Sequence, residues 1–280
     1  MTVEDIRVSG GWLALREPAD AAARAPGLVE HLWRHLPETG PLAIHDLGCG
    51  TGAMGRWLAP RLPGPQHWVC HDRDPDLLEV AAAEPPRAAA DGAAVTVEAR
   101  RSDITRLHRG DLAGATLITA SALLDLLTAD ELAGVVGVCA GAGCPALITL
   151  SVVGRVDLTP ADPLDSRVAA AFDAHQRRTR TRDRLLGPDA VTVAVAGFSA
   201  AGADVLVRPS PWRLGALQAD LMAGWFAGWL DAACEQQVEL VAETEAYARR
   251  RLAEARAGTL AVTVHHADLL ALPRPGRARG

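Results

Sequence analysis

Residues 45–52 (HDLGCGTG) are the part of the chain best suited by type and spacing to hold a ligand. Glycines at positions 48, 50 and 52 let the backbone turn sharply and approach a bound molecule with no Cβ in the way. Asp46 stands just before the turn, where its carboxylate can receive polar ligand groups or hold loop amides. Asp72, in CHDRDPDLL, comes 24 residues after Gly48. At the end of a second strand it is placed to accept from both hydroxyls of a ribose. Asp103, in RRSDITRL, could accept from an adenine amino group after a third strand. Gly50, Gly52 and Gly55 also spell Gly-x-Gly-x-x-Gly, the dinucleotide pattern. In that pattern the first glycine closes the strand directly. Here Gly48 already makes the turn, and Asp46 would set a carboxylate against a pyrophosphate at one helix N-terminus.

Parallel strands joined by crossover helices must position these groups, and the apolar pattern supplies them. Seven strands are expected, over residues 42–47, 67–72, 94–98, 115–120, 146–153, 203–207 and 259–264. Helix-like segments follow five of them, at 52–61, 75–83, 129–140, 188–201 and, as one long stretch, 214–257. Near-continuously apolar strands fit a sheet covered on both faces. The fold expectation is an α/β three-layer sandwich, one domain over 1–280. Its appendages are a helical cap within 1–40, a lid insertion at 155–187 and a helical insertion at 213–258. The stretch 132–154 carries no charge across 23 residues. Gly141, Gly143 and Pro145 interrupt it, which favours a helix followed by a buried strand over a membrane span.

Composition narrows the chemistry. The 280 residues carry a formal net charge of −6, and all 28 basic residues are Arg, since neither Lys nor Asn occurs. A Schiff-base enzyme and a Gly-Lys-Ser/Thr phosphate loop are thereby excluded. Abundant Ala and Gly with scarce Ile point to codon bias in a GC-rich genome, so Arg richness says little about nucleic acid. The five Cys (49, 70, 139, 144, 234) show no Cys-x-x-Cys spacing. A reduced cytoplasmic chain without a metal is expected, and the polar start MTVEDIRVSG leads us to expect no export.

Together the three acidic strand ends and the glycine loop resemble the class I S-adenosylmethionine-dependent methyltransferases. The likeness covers roughly residues 44–150. WLALREPAD, AHQRR, SPWRLG and HHADLLALP also resemble uncharacterised bacterial small-molecule methyltransferases. The resemblance implies a seven-stranded, mostly parallel Rossmann-like sheet, antiparallel at its last strand, with S-adenosylmethionine (SAM) as cofactor. Carried onto this chain, the cofactor residues are Asp46, Gly48, Cys49, Gly50 and Gly52 at the methionine end, Asp72 and Arg73 at the ribose, and Ser102, Asp103 and Ile104 at adenine. Ala120 and Ser121 would stand beside the sulfonium. Arg16 or Arg24 would pair with the methionine carboxylate.

The implied reaction is methyl transfer to an oxygen, nitrogen or carbon of a small, possibly anionic metabolite. A macromolecular acceptor and a nicotinamide-dependent oxidoreductase are the alternatives. No Asn/Asp-Pro-Pro-Tyr/Phe follows the fourth strand, as amino-methylating nucleic-acid enzymes would require, and neither nucleic acid nor membrane is expected as partner. Arg177 and Arg178, within the run 177–184, are read as a lid recognising an anion. Trp12 and Trp212 are expected to wall the acceptor pocket. His175, Asp125 and His265 are the candidates for a base. Trp225, Phe226 and Trp229 recur at helical spacing as core or as the face of a homodimer.

Overall fold

The computed structural model describes residues 8–180 and 183–274. Arg182 of the arginine run and the basic tail beyond Arg274 lie outside the described residues.

Eight strands form one sheet: β1 (Leu42–Leu47), β2 (Gln66–Asp72), β3 (Val95–Arg101), β4 (Leu117–Ser121) and β5 (Ala146–Thr159), then, beyond the short hairpin β6 (Thr179–Arg180) and β7 (Asp183–Arg184), β8 (Ala203–Pro209), β9 (Trp212–Leu214) and β10 (Ala261–Pro273). The order is β3-β2-β1-β4-β5-β10-β8, with β9 paired to the outer part of β10. β1 to β5 run parallel, and β10 is antiparallel to both its neighbours. This is the mostly parallel Rossmann-like sheet that the resemblance implied.

The two-residue period of the strands divides the core into layers. On β10, Leu270 and Leu272 face a layer built with α2 (Pro26–Trp33), α3 (Ala53–Leu58) and α4 (Pro75–Ala83). Leu269 and Ala271, alternating with them, face α5 (Ala129–Ala142) and α7 (Ala190–Ala200). A third apolar cluster joins α6 (Asp165–Gln176), α8 (Ala219–Gln236) and α9 (Val241–Arg256) to β9 and the outer end of β10. Phe226 and Trp229 are buried within this cluster. They are core residues of this cluster, and Trp225, partly buried, packs against it.

The sequence reading and the structure part at the insertions. The cap, expected as a helix over 19–36, is two helices, α1 (Gly10–Ala23) and α2, and starts nine residues earlier, where Ser9 caps the Trp12 amide of α1. β5 runs on to Thr159 and β10 to Pro273, so the segment read as a lid from 155 begins as sheet. The polar pair His265–His266 and Asp268 concealed the true length of β10. The expected long helix breaks at extended Gln237 into α8 and α9.

Candidate functional site

One cleft of about 890 Å³ opens at the carboxyl ends of the parallel strands. That is where open α/β sheets bind ligands. The loop after β1 forms its floor. Gly48 and Gly50 adopt φ of +65° and +54°, left-handed values that favour glycine. A Cβ at Gly48 would lie 3.1 Å from Leu123, and one at Gly50 would lie 3.1 Å from Leu13 of α1. The loop is therefore pressed from both sides, which sequence alone does not disclose. Gly52, at φ +84°, starts α3 behind the loop and is not part of the cleft wall. The guanidinium of Arg56 clamps the arrangement: it donates to both oxygens of Glu17 on α1 at 2.7 and 2.6 Å and to the Thr51 carbonyl at 2.6 Å.

Asp46, next to last in β1, lies beside Thr119 of β4. One of its oxygens accepts from the Thr119 hydroxyl at 2.7 Å, and its other oxygen, Oδ2, is buried without a partner. Burial pushes the Asp46 carboxyl up to about 6, against the pull of Thr119 and Arg24. Arg24, at the end of α1, is 2 % exposed. It donates to Ser121 at 3.2 Å and Thr149 at 3.4 Å, while Nη1 is buried with no acceptor. Burial pulls its pKa down, and Asp20, Asp268 and Asp46 oppose that pull. A buried guanidinium N–H and a buried carboxylate oxygen thus line one cleft, both lacking partners. Buried polar groups are ordinarily satisfied. These two fit the carboxylate and the ammonium of an amino-acid ligand, and a diphosphate would be repelled by Asp46.

At the other end, Asp72 closes β2. Its carboxylate accepts from the backbone N–H groups of Gly50 and Asp74, both at 2.9 Å, which binds the glycine loop to β2. Asp103 accepts from the Thr105 amide and hydroxyl at 3.0 and 2.7 Å. Arg73, Ser102 and Ile104 line the cleft beside them. Behind Ser102 runs a buried relay. Ser102 Oγ lies 3.0 Å from His71 Nδ1, and His71 Nε2 lies 3.0 Å from His45 Nδ1. Burial lowers the pKa of both imidazoles, that of His71 to about 4. Cys49 lines the cleft, its thiol pushed up by contact with Cys70 and by burial, which favours the neutral form. Ala120 lies buried in β4, below the cleft wall, while Ser121 reaches it.

The expected acceptor residues divide. Trp12 and Asp125 line the cleft. Trp12 packs towards α8 at Gly224, where a Cβ would stand 3.2 Å from its ring. Trp212 is 3 % exposed and donates to Asp20 at 2.9 Å, so it supports the cleft from beneath. Arg16 lines the cleft but is held bidentately by Asp20 at 2.9 and 3.2 Å and lies over the Trp212 ring. Of the two arginines, Arg24 is the one with a guanidinium N–H that no acceptor in the described residues takes up. The spacing Arg16, Asp20, Arg24 marks one helix face, a signal that could have singled out Arg24.

Arg177, His175 and His265 do not line the cleft, and neither does Arg178. Arg177 is engaged bidentately by Asp189, both bonds at 2.7 Å. Arg178 donates to the His175 carbonyl at 3.1 Å, and His175 faces Glu235. His265 lies 2.7 Å from Asp157 on the outer part of the sheet. Local carboxylates and carbonyls hold these groups, so the expected anion-recognising lid is corrected: Arg177 and Arg178 form no cleft wall.

Residues 44–145 match the family model described as a methyltransferase domain. A search of the curated proteins found no match. Among solved structures the chain is similar to the cyclopropane synthase MmaA2 from Mycobacterium tuberculosis, at 14% identity and TM-score 0.48 over 94% of each chain. It is also similar to SAM-dependent methyltransferases from Geobacter sulfurreducens (15% identity, TM-score 0.44, 95% of this chain and 99% of that one) and Thiobacillus denitrificans (15% identity, TM-score 0.45, 96% and 100%). Both were crystallised with S-adenosylhomocysteine (SAH).

Proposed function

We propose that this chain is a class I SAM-dependent methyltransferase, a reading supported by the methyltransferase-domain match over residues 44–145, and that it methylates a small molecule that enters the cleft beneath α1. When bound, SAM supplies an electrophilic methyl group on a sulfonium. The chain's own residues have three tasks: to hold the amino-acid end, to hold the nucleoside end, and to bring the acceptor in line while excluding water. Arg24 and Asp46 fit the first task through their unpartnered atoms. Asp72, Ser102, Asp103 and Ile104 are assigned the second. Trp12, Leu13, Leu123, Leu126 and Leu127, apolar and lining the same cleft, are assigned the third.

The unpartnered pair Arg24 Nη1 and Asp46 Oδ2 carries the cofactor half of this reading, because a zwitterion satisfies both, whereas the diphosphate of a nicotinamide dinucleotide would pair with Arg24 but be repelled by Asp46. The small-acceptor half is supported by the cleft itself. Its volume stands at the upper end of the range for small-molecule sites, enough for a cofactor with an acceptor beside it. With Arg177 held by Asp189, the expected lid supplies no free cation to an anionic acceptor.

Incubating the protein with methyl-labelled SAM and a cell extract, then dividing the products by size, tests the acceptor class. Label is expected in the fraction of small metabolites. Label confined to protein or nucleic acid would overturn the small-molecule reading and leave the cofactor assignment standing.

A further inference from the structure

The charged side chains on the acceptor side of the cleft can be accounted for almost completely. Arg16 and Asp20 neutralise each other, and Asp20 also receives the Trp212 indole N–H. Glu131 accepts from the Thr128 amide at the start of α5. Arg24 and Asp46 are assigned to the cofactor. One group is left. Asp125 sits in the turn 124–126 that follows Ala122, a residue held at φ +52°, and it lines the cleft among Leu123, Leu126 and Leu127. Among the described residues no side chain donates to its carboxylate, and its own backbone N–H is its donor. The charges of Arg16 and Arg178 reach it only through space.

We propose that the acceptor is an amine carried on a mainly apolar small molecule, and that Asp125 pairs with its ammonium and takes up the proton that must leave before methylation. This rests on the methyltransferase reading and deepens it. In the step, R–NH3+ gives one proton to the Asp125 carboxylate, which becomes the carboxylic acid. The freed nitrogen lone pair forms the new N–C bond as the C–S bond breaks, and that bond's electron pair stays on sulfur. The product is an N-methylammonium ion, a thioether and a protonated Asp125, which returns its proton to solvent.

Chemistry selects the amine. A carboxylate in an apolar wall is stabilised by a cation and repels an anionic acceptor. Burial raises the pKa of Asp125, which suits it to accept a proton. An alkylammonium with a pKa of about 10 lies within reach of such a base, whereas an aliphatic alcohol at roughly 16 is several units further uphill, each unit being about 1.4 kcal/mol. Arg16, whose charge Asp20 balances, does not reverse this preference, and Arg178 stands outside the cleft wall without a hydrogen bond to Asp125.

Calorimetry on the SAH-loaded protein with 2-phenylethylamine, 2-phenylethanol and phenylacetate, one frame with three head groups, tests the proposal. The amine is expected to bind at least tenfold more tightly than the alcohol, and phenylacetate most weakly. In Asp125→Asn the amine preference should disappear, and in Asp125→Glu, which keeps the charge, it should persist. Equal binding of amine and alcohol, no binding of the amine, or a preference that survives Asp125→Asn would overturn the proposal. Failure of SAH itself to bind would count instead against the methyltransferase reading, so the two failures are distinguishable.

Discussion

Asp46 and His71 are buried titratable residues on neighbouring strands, and they titrate with opposite consequences. Asp46 must be ionised to meet a ligand ammonium, and burial raises its pKa to about 6. Protons therefore compete with the cofactor, and affinity for SAH is expected to fall about tenfold per pH unit below about 6. In Asp46→Asn the affinity should be weaker throughout and the pH dependence flattened. Titrations between pH 5 and 8 read this, and a native affinity constant over that interval would remove Asp46 from the site. His71 has its pKa lowered to about 4, against roughly 6.5 in an unfolded chain. Between those values the unfolded chain binds the extra proton. The stability His71 contributes is thus present above about 6.5 and lost as pH falls through about 4, on the order of 3 kcal/mol in full. Urea unfolding of His71→Gln should show a shallower loss of stability across that interval than the native protein. Parallel curves would contradict the account.

At the scale of elements, the site depends on α1 pressing on the glycine loop. Gly50→Ala places a Cβ in a left-handed conformation and within 3.1 Å of Leu13. It is expected to cost about 1–2 kcal/mol of stability and to weaken SAH binding. Leu13→Ala added to it should recover part of the affinity, because the clash is with the far end of a side chain, while the backbone cost stays. A double-mutant cycle by calorimetry checks this, and strict additivity would contradict the contact. Ala122 holds φ +52° beside the cleft. Ala122→Gly should raise thermal stability if that conformation is strained, by up to about 1 kcal/mol. An unchanged or lowered melting temperature would mean that the turn carries no such strain.

At the scale of the whole molecule, the sheet and the part of the cleft wall at the ends of β1, β2 and β3 were legible in the sequence, and the rest of the wall was not. Asp46, Asp72 and Asp103 each lie within two residues of a strand's end, and a strand's end is marked by where an apolar run stops. That made three wall residues readable without coordinates. Arg177 and Arg178 misled because a run of charge does not say which carboxylates will meet it. Asp189, twelve residues beyond Arg177, takes that charge. Arg24 was one of two choices until Asp20 was seen to occupy Arg16. The length of β10 was hidden because His266 and Asp268 are polar and yet buried, at 5 % and 1 % exposure. Period-two reading assigns such residues to solvent. Asp268 accepts from the Ala25 and Leu150 amides at 2.8 Å, bonds that join α2 and β5 across the sheet.

The central claim is that the loop after β1 receives an amino-acid-bearing nucleoside and rejects a dinucleotide. Calorimetric titration of the native protein and of Arg24→Gln with SAH and with NADH tests it most directly. The account predicts SAH binding alone, weakened in Arg24→Gln by roughly 1.5–3 kcal/mol through a lost charged hydrogen bond. NADH binding as tightly as SAH, or SAH binding indifferent to Arg24→Gln, would contradict it.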